Sequence, residues 1–335
     1  MKKILIKTTL WSTAIIVLTV VACKSEDKQK KSEPTEEKSR AEIFVPDFNA
    51  DSAYAYVQKQ VDFGPRAPGS EAHAQCAQWL TNTMKRFTPN VEVQHFKARI
   101  FDRKTYNGQN IIGIFNPEKK ERILLCAHWD TRPFADHDPN PENRNTPIDG
   151  ANDGASGVGV LLEVARQFNL HNPDIGVDII FFDLEDFGKP QATQLEVEDD
   201  WCLGSQYWSR TPHKPGYRAK FGILLDMVGV PNPNFTQEGM SVYFARHIVD
   251  KVWSIASQLG YEQYFPTTET PAIIDDHYYI NKLIRIPTID IIHYEPESSS
   301  GFFHYWHTVD DTMEHIDKET LRIVGDVVLT VVYWE

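Results

Sequence analysis

The sequence predicts an α/β fold: a three-layer α/β/α sandwich around a mixed, mostly parallel central sheet. Two patterns carry this. Four short apolar runs, Ile123–Ala127, Val177–Phe182, Phe221–Leu225 and Thr288–Ile292, have strand length and little alternation, as strands covered on both faces require. Segments with helical spacing fall between and after them, at Val158–Phe168, Gly204–Ser209, Val242–Leu259 and Lys318–Tyr333, and such alternation builds a layered sandwich.

Ahead of this core, Ala50–Val61 reads as a helix. It leads into Phe63-Gly64-Pro65-Arg66-Ala67-Pro68-Gly69, whose prolines and glycines impose a fixed turn before a long helix, Glu71–Phe87. Val91–Ile100 alternates in strand fashion and Asn110–Phe115 is a second strand; the two are expected to pair antiparallel at one side of the sheet. From Ile43 onward about 290 residues remain, enough for one large domain, 43–335, with a sizeable core.

The start of the chain is different. Residues 1–22 combine Lys2, Lys3 and Lys7 with an apolar run ending at Val20-Val21-Ala22, the pattern of a signal peptide, and the run is short for a membrane span. The Cys23 that follows resembles a bacterial lipoprotein processing site, which implies acylation of Cys23 and an exported lipoprotein, membrane-anchored in the periplasm or at the cell surface. Lys24–Arg40 has no large apolar residue and mixes both charge signs, so residues 23–42 read as an acylated Cys plus a flexible tether.

The formal net charge of −13, with no Lys/Arg block in the folded part, excludes a nucleic-acid binder, which needs a basic face. Cys76, Cys126 and Cys202 show no CxxC spacing, which excludes a thiolate zinc site; Cys126 reads as a small core residue, and a Cys76–Cys202 disulfide is conceivable in an exported protein.

The ends of the predicted strands hold the chemistry. Ile123–Ala127 stops at His128-Trp129-Asp130. Val177–Phe182 stops at Asp183-Leu184-Glu185-Asp186, Phe221–Leu225 at Asp226-Met227, and Thr288–Ile292 leads through His293 to a loop with His304 and His307. Open α/β sheets bind ligands at that edge, and the concentration of imidazoles and acids there reads as a zinc site. His128 and Asp130 lie on one side of an extended segment, with Asp130 able to hold the ring's tautomer. Asp153, in Gly150-Ala151-Asn152-Asp153-Gly154-Ala155-Ser156-Gly157, could cap the following helix. Asn152 or Ser156 could cap it equally well, and the flanking glycines suit a backbone crowded near a metal, so Asp153 reads as a ligand. No GxSxG and no complete dinucleotide fingerprint is present. Glu185-Asp186 is the sharpest feature. Adjacent carboxylates at a buried strand end repel unless a cation compensates or one is protonated, and metal enzymes use such a pair as ligand and general acid/base. Asp226 and the segment Asp275-Asp276-His277 are equally readable as cap and turn, and spacing alone does not choose among His304, His307 and His315. The loop Thr131–Ile148 lies beside the site as a possible lid.

Taken together, His-x-Asp, Asp-Gly-Ala-Ser-Gly, the paired acids, an Asp after a strand and a late His resemble the zinc aminopeptidase superfamily. Within it, the chain is more similar to glutaminyl-peptide cyclotransferases of the animal (type II) kind, from about Phe63-Gly64-Pro65-Arg66 to His307. Carried over by position, the resemblance implies zinc on Asp153, Asp186 and His307, Glu185 as general acid/base, and Asp226 and Asp276 as acids hydrogen-bonded beside it. Trp306 and Trp201 are implied as pocket walls. One departure is Asp186, where the animal enzymes have Glu; zinc accepts oxygen from either. The implied reaction is cyclisation of N-terminal Gln of peptides or proteins to pyroglutamate, with one zinc. A di-zinc aminopeptidase, with His128 and Asp226 completing a second metal position, is the alternative within the superfamily. A peptide-binding lipoprotein without turnover is the alternative outside it.

Overall fold

The computed structural model describes residues 43–190 and 200–335. The signal peptide, Cys23 and the tether lie outside these residues, as does most of the segment between Phe187 and Asp200.

Six strands form one mixed sheet in the order β1-β2-β4-β3-β5-β6: β1 Val91–Arg99, β2 Thr105–Phe115, β3 Arg122–His128, β4 Gly176–Phe182, β5 Phe221–Asp226 and β6 Thr288–Ile292. The expected hairpin is present, with β1 antiparallel to β2 from Val91↔Gly113 to Arg99↔Thr105. β2 is also antiparallel to β4, whereas β4–β3, β3–β5 and β5–β6 are parallel. The chain thus leaves β3 to one side and returns to the other, which opens a crevice at the carboxyl end of β3.

The period-2 alternation of strands sorts the core. Ile123, Leu125, Ala127, Val177, Ile179, Phe181, Ile223 and Ile289 face a large cluster formed with α1 Ala50–Val61, α2 Glu71–Met84, α3 Ala155–Leu170, α5 Gly239–Gln258 and α7 Lys318–Tyr333. Leu124, Cys126, Ile180, Phe182 and Leu224 face the opposite layer, where Trp208 of α4 Leu203–Arg210 packs with Ile280 and Ile286. The short helix α6 Asp276–Tyr279 continues there as a wide turn to Ile284. The three-layer reading holds. Element ends move where capping decides them: α5 begins at Gly239 because Glu238 accepts the N–H groups of Met240 and Ser241.

Arg66 of the Pro-Gly turn is buried and donates to the carbonyls of Trp129 (3.1 Å), Asp149 (2.6 Å) and Gly150 (2.7 Å), so the turn is stitched to the loops that follow β3. Within β4, the one charged residue, Asp178, pairs with Arg122 through two short bonds of 2.6 and 2.7 Å, and both side chains are almost wholly buried. Removing the guanidinium deprives a buried carboxylate of its charge partner and leaves it the Tyr217 hydroxyl, which donates at 2.7 Å. Arg122→Ala is therefore expected to cost about 3–5 kcal/mol of unfolding free energy, read by denaturant titration.

Candidate metal centre

β3, β4 and β5 end side by side, and each delivers acids or an imidazole to the crevice. Asp183 is the exception: it turns away to His73 (2.8 Å) and to the N–H of Gln109 (2.8 Å). The buried Leu184 then adopts a left-handed backbone (φ 58), which redirects the chain so that Glu185 and Asp186 follow at the site. Their N–H groups both donate to Asp130, at 3.0 and 3.2 Å. Asp130 also stands 3.6 Å from His128 Nδ1, so its main visible task is to hold the backbone of the acid pair. Four of the eight non-glycine residues with positive φ among the described residues sit at this site: Leu184, Cys202, Met227 and His307. Such strain persists where surrounding packing over-determines it.

Asp153 lies between two sets of ligand atoms. On one side His128 Nε2 is 3.1 Å from Asp153 Oδ1 and 3.1 Å from Asp226 Oδ1. On the other, His307 Nε2 is 3.6 Å from Asp153 Oδ2 and 3.2 Å from Asp186 Oδ1. Asp153 caps nothing. The residue before α3 is Gly154, without a side-chain cap, and the N–H groups of Asn152 and Asp153 are taken by Asp311 at 2.8 and 3.0 Å. Gly154 is required here: φ is +92, and a Cβ would lie 2.7 Å from the carbonyl of Asp130 and 3.0 Å from the ring of His128.

The Asp153–Asp186–His307 set fits zinc. Bonds of about 2.1 Å in a tetrahedron put ligand atoms roughly 3.4 Å apart, close to the separations seen. Asp186 Oδ2 is buried without a hydrogen-bond partner, and burial, with Asp186 beside it, pushes Asp153 above the usual carboxylate range. Burial likewise raises Asp186 to about 7 against the pull of Arg132, whose guanidinium nitrogen is 3.4 Å away. Both shifts mark negative charge that a cation would compensate. Burial and Arg132 hold His307 down to about 4, so it is a neutral imidazole ready to ligate. Its Nδ1 is 3.3 Å from Asp136, the carboxylate partner that orients a metal-binding ring. For His128, burial opposes the charged ring, but Asp130, Asp153 and Asp226 outweigh it and raise the ring well above its ordinary value.

Glu185 stands outside both sets. Cys202 Sγ donates to its Oε1 at 3.0 Å, and the N–H of Cys202 donates to its carbonyl at 3.0 Å. Glu185, Cys202 and Asp275 have side-chain atoms within 4.8 Å of one another. Burial, with Asp275 and Asp186 adding to it, raises Glu185 well above the carboxylate range. The expectation for Asp276 is corrected: Asp275 is the acid on the cavity wall, whereas Asp276 opens α6 and is buried away from the cavity near Ser205. Adjacent residues at a helix start point in different directions, so a one-residue difference decides which acid meets Glu185.

These groups line a cavity of about 1320 Å³. Trp306 stacks on His307 (3.7 Å between ring centres), and Trp201 lies parallel to the same ring at 6.4 Å, with the Arg132 guanidinium 4.7 Å over it. Both indoles line the cavity. His304 is exposed and His315 stacks on Tyr305 at 3.8 Å, which leaves His307 as the late imidazole at the centre. In the Thr131–Ile148 loop, Thr131, Arg132, Ala135, Asp138 and Ile148 are buried, most of 139–147 is exposed, and Arg132, Asp136 and His137 line the cavity. Cys76, Cys126 and Cys202 are free. Arg132, Asp136 and Cys202 gave no usable signal in the sequence, because each acts through a partner distant along the chain.

A sheet of this topology with acids and imidazoles gathered at the ends of its parallel strands defines a metal-dependent exopeptidase-like enzyme. The chain belongs to Peptidase family M28, whose model matches residues 110–332, a family with zinc-dependent members. It is 52% identical to the glutaminyl cyclase of Bacteroides thetaiotaomicron, crystallised with N-acetylhistamine, over 87% of this chain and 100% of that one, with a TM-score of 0.86. It is 51% identical to a leucine aminopeptidase precursor from the same organism, over 88% and 99% of the two chains, with a TM-score of 0.85. The glutaminyl-peptide cyclotransferase of Bos taurus is 27% identical over 287 residues, 76% of this chain and 74% of that one.

Proposed function

We propose that the protein cyclises N-terminal glutamine of peptides and proteins to pyroglutamate, releasing ammonia, with one zinc held by Asp153, Asp186 and His307. The observation that carries this reading is the pairing of Glu185 with Asp275 outside both ligand sets, on a wall shared with Trp201 and Trp306. Zinc bound there would polarise the side-chain amide carbonyl as a Lewis acid. The bond that forms joins the α-amine nitrogen to the amide carbon, and the bond that breaks joins that carbon to its own nitrogen. Glu185 accepts a proton from the attacking amine and delivers it to the departing nitrogen, so one NH₃ leaves and the carboxylate is restored. Because both reacting groups belong to one residue, orientation supplies much of the rate, and the indole walls keep out competing water.

The deciding experiment incubates the protein with a Gln-initiated peptide and with leucine amide, following ammonia and free leucine separately. Ammonia from the Gln peptide without leucine release is expected. The second set, His128–Asp153–Asp226, favours a rival, a di-zinc aminopeptidase with Glu185 activating water. Two tightly held zinc ions together with leucine release would establish that rival.

Cys202 tests the local geometry. Losing its thiol donor in Cys202→Ala is expected to lower kcat about three- to tenfold, the worth of one hydrogen bond, while Cys202→Ser keeps a donor and most of the rate. The motif at Cys23 supports lipid anchoring of the exported protein. In a bacterial host, Cys23→Ala is expected to abolish fatty-acid labelling and shift the protein from the membrane to the soluble fraction.

A further inference from the structure

Cyclisation draws both the α-amine and the side chain of the first residue to the reacting centre, so the rest of a peptide leaves only through that residue's carbonyl. The cavity has room for more than one residue: its volume of about 1320 Å³ exceeds the roughly 300–1,000 Å³ of pockets that take drug-sized ligands. One of its walls runs out onto the surface. Ile274 and Tyr278 line the cavity, yet Ile274 is 48% exposed and Tyr278 is half-buried. Tyr278 meets Phe244 edge-on, 6.3 Å between ring centres, and Phe244 meets Tyr243 at 4.8 Å. Tyr243 is 78% exposed, so two of the four exposed large apolar side chains among the described residues stand on one ridge, Ile274–Tyr278–Phe244–Tyr243. Apolar surface gathered in this way marks an interaction site, where scattered single residues would not.

The ridge is preformed. Helical geometry breaks at the buried Ala245 (φ −141, ψ 37), so Gly239–Phe244 makes a separate start to α5. That start lies on the segment 270–272: a Cβ on Gly239 would be 2.8 Å from the nitrogen of Ala272, and the N–H of Thr270 donates to the carbonyl of Gln237 at 3.1 Å. The rim is polar, with Lys282 Nζ donating to the Tyr278 hydroxyl at 3.0 Å and Arg246 paired with Glu269. Aromatic side chains at the centre and charged groups at the rim are the make-up of a polypeptide-binding face. We propose that this ridge, continuous with the cavity, binds the substrate chain beyond its first residue and selects extended polypeptides with apolar or aromatic residues a few positions downstream. Its kinetic effect rests on the cyclase reading; the binding does not. Contacts made equally before and during the reaction act on KM and leave kcat alone.

The test compares ammonia release from two Gln-initiated hexapeptides, one with Leu and Phe at positions three to five and one with Ser and Gly there, beside the dipeptide amide Gln-Ala. In the wild type the apolar hexapeptide is expected to have a KM lower than its Ser/Gly counterpart by about five- to twentyfold, with equal kcat. Tyr243→Ser is expected to erase that difference and Tyr243→Phe to keep it, with Gln-Ala amide turned over alike by all three proteins. Equal KM values in the wild type overturn the proposal, as does a difference that survives Tyr243→Ser. A self-associated wild type that Tyr243→Ser renders monomeric in sedimentation also overturns it, by assigning the ridge to a second copy of the chain. If the wild type releases no ammonia from any of the peptides, the cyclase reading fails. Binding of the apolar hexapeptide, labelled with fluorescein at its C-terminus and followed by anisotropy, then decides the ridge alone: a Kd raised about fivefold or more by Tyr243→Ser upholds it, and an unchanged Kd overturns it.

Discussion

Glu185→Gln is expected to retain zinc and the fold while lowering kcat by about two to four orders of magnitude, the range associated with general acid/base groups. The substitution is nearly isosteric. Oε1 still accepts from Cys202, at 3.0 Å in the native protein, and the Asp153–Asp186–His307 set is untouched. What is lost is the ability to take a proton and return it. Ammonia release under saturating Gln-initiated peptide, measured beside zinc content, checks the prediction. A variant with near-native turnover would remove Glu185 from the chemistry.

Asp153→Ala is expected to abolish zinc binding and turnover together. Asp153 is the one residue whose two oxygens face both imidazoles, His128 at 3.1 Å and His307 at 3.6 Å. Without it, the His307 set retains only Asp186. Metal bound to the native state alone stabilises by about 2.7 kcal/mol when present at 100 times its dissociation constant. A chelator should therefore lower the melting temperature of the wild type and leave Asp153→Ala unmoved. The metal-free forms should order the other way. Buried acids around Asp153 repel when no cation is present, so the metal-free variant should be at least as stable as the metal-free wild type. Zinc retained by the variant would show that Asp186 and His307 suffice.

Much of the site was legible because its ligands sit where strands stop. His128, Asp186 and Asp226 end, or closely follow, runs whose apolar character announces buried strands, and Asp153 sits in a glycine-rich turn that had to approach another backbone. Less legible were the directions of side chains in irregular segments. Asp275 and Asp276 are neighbours of the same chemistry, yet one faces the cavity and the other is packed behind it. His304, His307 and His315 were interchangeable by spacing. The left-handed backbone of His307 is one of the features that set it apart, and no local pattern predicts a positive φ at histidine.

The amino-acid sequence by itself determined the layered α/β architecture, the antiparallel hairpin at one side of the sheet and the chemical type of the site. Hydrophobic periodicity and the placement of acids and imidazoles are local properties of the chain. Only the tertiary structure decided which acid stands against Glu185, that Asp136 lies against His307, and that Arg132 and Cys202 belong to the site. Those pairings join residues far apart in the chain. Each is chosen by how buried charge finds a partner once the layers have closed, a balance that no short stretch of sequence contains.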